Sequence, residues 1–214
     1  MNDAYLAPAA SHRYVLDLVR SADRDRFLGA LFAPEPARTD LLALLAFNYE
    51  LARTRTVTRE PMLARIRLEW WREAVVEAAG AGKPRAQPIV ESLSETIRRC
   101  RLQPQDLIAL IDAREEEIEG PLDVLRAGHA LADLELSVLG AGGEASRRAA
   151  RAVAAAWLMG EGPERDSLLA EARALRREVD AASLPILLPA LSLGDIGAWR
   201  KPLAYWWAAK RGRY

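Results

Sequence analysis

The chain has 214 residues, is half hydrophobic, and balances 30 basic against 30 acidic side chains for a net charge of zero. That composition excludes a disordered, a collagen-like and a disulfide-stapled chain, and it sets up no overall field to attract nucleic acid. A single cysteine, Cys100, and two histidines, His12 and His129, leave no intrachain disulfide and no Cys/His zinc site of ordinary spacing.

Residues 1–10 are weakly apolar and carry Asp3, without the basic start and apolar stretch of a signal peptide. Ala, Leu, Arg and Glu dominate the rest, and Val and Ile never alternate with polar residues over a strand's length. The whole chain is therefore predicted helical. Helices are expected, in order, near 11–20, 22–32, 36–54, 60–79, 88–102, 104–118, 121–139, 144–159, 163–180, 182–192 and 197–211. Proline stands at or near the start of several, as at Pro61, Pro104, Pro121 and Pro163, with Thr58 as the expected cap ahead of Pro61. Glycine-rich breaks fall at 80–84 and 140–143.

Apolar side chains recur at three and four, as in the row Met62, Ile66, Trp70 and the row Leu107, Leu110, Ile111, Ile118. The longest apolar runs, 41–47 and 186–193, are far short of the roughly 20 residues that span a bilayer. A cytoplasmic protein is expected, with attachment to the inner membrane face left open. No linker, repeat or shift of composition divides the chain, so the predicted architecture is all-α, a single-domain helical bundle over 1–214 ending in a basic, aromatic helix at 199–214.

Three stretches carry a signature: DRDRFLGALFAP from Asp23 to Pro34, LLAFNYELAR from Leu44 to Arg53, and EPMLARIRLEWWRE from Glu60 to Glu73. In this order they resemble the squalene/phytoene synthase family, and within it a divergent branch that includes a complex I assembly factor and bacterial relatives. Residues 111–115, 184–190 and the tail from Trp199 are similar to later blocks of that branch. The resemblance implies an isoprenoid synthase fold, shortened in its second half. Active members of the family join two allylic diphosphates head to head. They hold Mg2+ on two Asp-x-x-x-Asp motifs from facing helices, where a spacing of four puts both carboxylates on one helix face.

This chain departs from both motifs. Where the first belongs, Asn48–Thr56 offers one acid, Glu50, beside Arg53 and Arg55, and a guanidinium cannot ligate Mg2+. Where the second belongs, residues 149–160 hold no acid at all. The resemblance with these departures implies a non-catalytic relative, a helical binding or assembly factor of the respiratory complex I type near a membrane. It has no catalytic residue, no metal and no cofactor, and it binds a protein partner or membrane surface, not nucleic acid. A partner subunit that supplies the missing family segment is a further possibility. The alternative is a Mg2+-dependent prenyltransferase with its carboxylates moved to Asp112 and Glu116. A third reading keeps a cavity around Ile66 and Trp70 for an isoprenoid or lipid ligand without the chemistry.

Individual residues can be read both ways. Asp112, Glu115, Glu116 and Glu119 share a helical face, which is either a metal-binding pair or, more simply, a solvated acidic face. Trp70 continues the Met62/Ile66 row and is expected in the core, with Trp71 at a groove edge; the alternative has Ile66, Arg67, Trp70 and Trp71 facing a ligand. Arg65, Arg67 and Arg72 are expected to pair with Glu69 and Glu73 ahead of any diphosphate. Asp23 and Asp25, alternating with Arg24 and Arg26, indicate local ion pairing. Asp133 and Glu135 lie two apart and mark no site. The tail holds Trp199, Tyr205, Trp206, Trp207 and Tyr214 among Arg200, Lys201, Lys210, Arg211 and Arg213, with no acid and a charge of +5. Such a mixture suits either a membrane interface or a terminal helix that packs its rings on the bundle.

Overall fold

The computed structural model describes residues 8–58, 60–194, 196–212 and 214; Arg213 and most of the segment 1–10 lie outside the described residues. Helices follow one another as α1 (Pro8–Ala22), α2 (Arg24–Ala30), α3 (Ala37–Ala52), α4 (Thr54–Val57), α5 (Pro61–Ala79), α6 (Pro88–Cys100), α7 (Pro104–Glu116), α8 (Val124–Leu139), α9 (Glu144–Leu158), α10 (Pro163–Ala174), α11 (Leu184–Leu187) and α12 (Lys201–Arg211). There is no strand among the described residues. No described helix is long and apolar enough to cross a membrane.

The fold forms two compact units, one from the chain up to Ala22 with Thr39–Asp123, the other from Asp23–Arg38 with Val124–Tyr214. Each unit is assembled from two separated stretches of chain. That is why no linker composition marks the division in the sequence.

In the first unit α5 packs on α6 and α7, and α1 on α6. Helix α3 is buried on nearly every side from Asp40 to Leu51, as its almost unbroken apolar run requires. Its two buried acids are bonded to neighbouring helices. Asp40, 1% exposed, accepts from Thr96 Oγ1 (2.7 Å) and Arg99 Nε (2.9 Å) on α6. Glu50 is tied to α5 through Arg67 (2.7 Å).

In the second unit α9 lies between α8 and α10, and alanine makes the contact close: Ala149, Ala150, Ala152, Ala155 and Ala156 are all buried. Gly128 on α8 is where the two backbones approach most tightly, since a Cβ there would lie 2.6 Å from the Ala155 backbone nitrogen. Gly128→Ala is therefore expected to push α8 from α9 and to lower stability by about 2 kcal/mol, despite alanine's higher helix propensity. Urea denaturation measures this, and a stabilised variant would contradict the close approach.

Two predicted helices end differently, and a third is capped differently. Residues 163–180 are helical only to Ala174. Asp180 is drawn away from the helix axis by accepting from Gly143 N and Ser146 Oγ, both at 3.2 Å. Residues 182–192 form 3-10 and α turns in alternation, because Pro185 and Pro189 lack the N–H that a continuous α-helix needs. Thr58 does not cap α5, whose N-cap is Glu60; its hydroxyl instead accepts from Glu60 N at 3.1 Å, a local turn.

Candidate functional site

The first unit contains a cavity of about 620 Å³ along α5. Helix α5 has two apolar stripes. Ala64, Leu68, Trp71, Val75 and Ala78 alternate steps of four and three, keep to one face and are buried. Met62, Ile66 and Trp70 advance by four each time and so drift round the helix, and they are 66%, 59% and 38% exposed. The expected places of the two tryptophans are thus corrected: Trp71 is in the core, 3% exposed, and Trp70 is at the edge. Phe47 holds Trp71 edge-on with ring centroids 5.5 Å apart, and Trp71 meets Trp70 in the same way at 4.9 Å. The Arg85 guanidinium covers the Trp70 ring at 4.6 Å and is fixed there by Glu77 (2.8 Å).

Ile66, Arg67, Trp70 and Trp71 all line this cavity. Leu63 and Val57 add to its apolar wall, while Glu50, Thr58 and Gln87 add polar groups. Of these additional residues only Glu50, as the acid of the motif stretch, and Thr58, as an expected cap, stood out in the sequence. Val57 ends α4 and Thr58 follows it, Leu63 is on α5 and Gln87 is the N-cap of α6, and only packing brings them together.

Glu50 determines the chemistry of the polar end. Its side chain is 8% exposed, and each carboxylate oxygen takes one guanidinium: Oε1 from Arg53 at 2.9 Å, Oε2 from Arg67 at 2.7 Å. The hydrogen bond and charge of Glu50 push the Arg53 pKa above its ordinary value. Arg67 Nε is buried with no hydrogen-bond partner. The cluster of one acid and two bases is net cationic. Mg2+ demands several oxygen ligands in octahedral array, so these residues do not fit the ion: the one acid of the motif stretch already has both oxygens occupied by internal cations. Among the described residues no cluster of three or more His, Cys, Asp or Glu is placed to hold a metal.

The acidic face of α7 is likewise paired with arginine. Arg72 donates to Asp112 (2.8 Å), Glu115 (2.9 Å) and Glu69 (3.2 Å). Partial burial opposes the charge on Arg72, but the bond to Asp112 and the two carboxylates outweigh it and raise the Arg72 pKa. Arg72 thus brings Asp112 together with Glu115, while Glu116 is exposed. Arg65 pairs with Glu119 and Arg67 with Glu50, which corrects their expected pairing with Glu69 and Glu73. The spacing within α5 allowed the local pairs, but Glu50 on α3 and Glu119, just past α7, lie nearer.

In the second unit, residues 149–160 fall mostly on α9, where Arg151 pairs with Asp133 (3.0 Å). Sequence reasoning passed over Glu135, which is 6% exposed; burial pushes its carboxyl up to about 7, partly offset by the charge of Arg26 and reinforced by that of Asp23. The signal was present as an acid flanked directly by Leu134 and Leu136. Asp23 caps α2 through Arg26 N (3.2 Å) and pairs with the Arg26 guanidinium (2.5 Å), the expected local ion pair, whereas Asp25 pairs with the distant Lys201 (2.6 Å), which corrects its expected local pairing. In the tail Tyr205 and Tyr214 are buried, while Trp199, Trp206 and Trp207 are exposed.

Residues 19–136 match the sequence profile of squalene/phytoene synthase, more than half of the chain. The chain belongs to the squalene/phytoene synthase family. Relatives within it include NADH dehydrogenase (ubiquinone) complex I, assembly factor 6, of Bos taurus, 31% identical over 53% of this chain and 34% of that protein. The Rattus norvegicus protein of the same name is 33% identical over 51% of this chain and 32% of its own length. The chain thus spans about a third of the length of the curated relatives it matches. Among solved structures, squalene synthase HpnC from Alicyclobacillus acidocaldarius superposes with a TM-score of 0.66 over 96% of this chain and 95% of that one. At 15% identity it establishes the family's all-α fold and nothing of the chemistry.

Proposed function

We propose that this family member is a non-catalytic assembly factor for respiratory complex I, acting near a membrane on a protein partner. The observation that carries the reading is the Arg53–Glu50–Arg67 cluster. Ionising an allylic diphosphate needs divalent metal beside the leaving group, and here two internal guanidiniums occupy the acid of the motif stretch. The names of the mammalian relatives support the class of partner.

Deleting the encoding gene is expected to lower the NADH:ubiquinone oxidoreductase activity of isolated membranes severalfold, with recovery on re-expression. Unchanged activity would overturn the assembly role. The purified chain, given Mg2+ and farnesyl diphosphate, is expected to release no pyrophosphate. Steady release with a condensed prenyl product would instead establish the prenyltransferase alternative.

The cavity supports a second reading. Its volume of about 620 Å³ is within the ordinary range for small-molecule sites, about 300–1,000 Å³. Apolar walls with a cationic end suit an amphiphile, an isoprenoid or lipid with an anionic head. This would be a ligand that is held and not turned over.

A further inference from the structure

Helix α12 is turned inside out for a terminal helix. Tyr205 is its anchor, fully buried and hydrogen-bonded to Ser192 Oγ at 2.8 Å, and Lys201 ties the first turn to Asp25. Burial pushes the Tyr205 phenol well above its ordinary pKa, so the hydroxyl stays protonated and the anchor neutral. With that face committed to the second unit, Leu203, Trp206, Trp207 and Lys210 fall at i, i+3, i+4 and i+7 on the other side. Leu203, Trp206 and Trp207 are 56%, 46% and 45% exposed, and Trp199 just ahead of the helix is 77% exposed.

Cations frame these rings. Arg200 stands over Trp199 at 4.8 Å, Lys210 over Trp206 at 5.1 Å, and Arg211 over Trp207 at 5.0 Å. Gly212, in the left-handed region at φ 63°, ends the helix directly after the last two cations. No acid occurs from residue 199 to the end of the sequence. Packing alone would favour turning the indoles inward, so large rings held outward with unopposed cations are a surface arranged for something outside the chain.

We propose that this face of α12 docks on an anionic lipid bilayer, with Trp199, Trp206 and Trp207 at headgroup depth and Arg200, Lys210 and Arg211 on the lipid phosphates. Indole rings prefer the membrane–water boundary, where an apolar body meets wet headgroups. An acid-free cluster of cations complements an anionic surface, and each cation multiplies partition about fivefold. A helix lying in the interface plane needs one apolar face and no spanning length, which is what α12 has. The inference rests on the reading above that the chain works near a membrane, and it assigns that contact to particular residues.

The test is co-sedimentation of the full chain with vesicles of phosphatidylcholine, alone or mixed with phosphatidylglycerol. Wild type is expected to partition onto the mixed vesicles and to be released by high salt, which screens the cations. W206A/W207A is expected to cut binding about tenfold and K210A/R211A about twentyfold. Circular dichroism should be unchanged in both variants, since Tyr205 keeps the helix in place. Wild-type binding that survives both substitutions would overturn the role of α12 while leaving membrane attachment intact. Equal affinity for vesicles with and without phosphatidylglycerol would overturn the anionic part. A wild type that ignores vesicles, with W206A/W207A failing to restore complex I activity to a deletion strain, would overturn the lipid proposal in favour of a protein surface. The assembly reading itself fails only if deletion leaves that activity unchanged.

Discussion

Arg67→Ala is expected to destabilise the protein by about 2 kcal/mol. Removing one partner from a buried ion pair costs about 3–5 kcal/mol, because the other charge is left without compensation. Glu50 is 8% exposed and keeps Arg53 at 2.9 Å, and the Arg67 side chain is itself 34% exposed, so the lower figure applies. Glu50→Gln removes the charge that needs pairing. The double variant Glu50→Gln/Arg67→Ala is therefore expected to lose clearly less than the sum of the two single changes, with a coupling of about 1–2 kcal/mol. Chemical denaturation of the four proteins measures it. Additive losses would mean that Arg67 acts through the cavity wall and not through Glu50, and the cationic cluster would lose its role in organising the site.

The second large effect depends on pH. The Glu135 carboxyl is raised in the folded state to about 7 from an ordinary value of 4.5, mainly by burial. Between those pH values the folded protein holds a proton that the unfolded chain has released. The contribution of Glu135 to stability is therefore fully present below about pH 4.5 and is lost as pH rises through 7, a change of about 3 kcal/mol. Glu135→Gln keeps the shape and carries no charge. It is expected to be more stable than wild type by about 3 kcal/mol at pH 8, with the gap closing towards pH 4.5. Urea denaturation at the two ends of this range gives the difference directly. A gap that does not change with pH would show that Glu135 is not the titrating group.

These effects show how differently two buried acids are treated. Glu50 is satisfied by two guanidiniums, that of Arg53 just past α3 and that of Arg67 on α5, whereas Glu135 is chiefly desolvated, with Arg26 a partial counterweight already engaged by Asp23. The first arrangement holds a charge at near-neutral cost. The second stores a pH-dependent penalty in the second unit.

The all-α fold, most helix positions, and the departure of Asn48–Thr56 from paired aspartates were legible from residue types and spacing. Helix propensity, proline at helix starts and the chemistry of carboxylate against guanidinium are local properties, and they survive folding unchanged. The family resemblance was legible for the same reason, since its blocks are contiguous strings.

Which stripe of α5 turns inward was not legible, because apolar residues lie on both and the buried one includes two alanines among its five residues. Nor was the choice of partner for Arg65 and Arg67, since Glu119 and Glu50 lie far away in sequence and only packing brings them near, whereas Arg72 meets the expected Glu69 and adds Asp112 and Glu115. The tail's aromatic and basic composition stood in the sequence, but that Tyr205 turns in while Trp206 and Trp207 turn out depends on the surface that α12 meets. Composition and periodicity thus determined what kind of molecule this is. Tertiary contacts decided which side chains are left facing outward, because a helix has several usable faces and its neighbours select one.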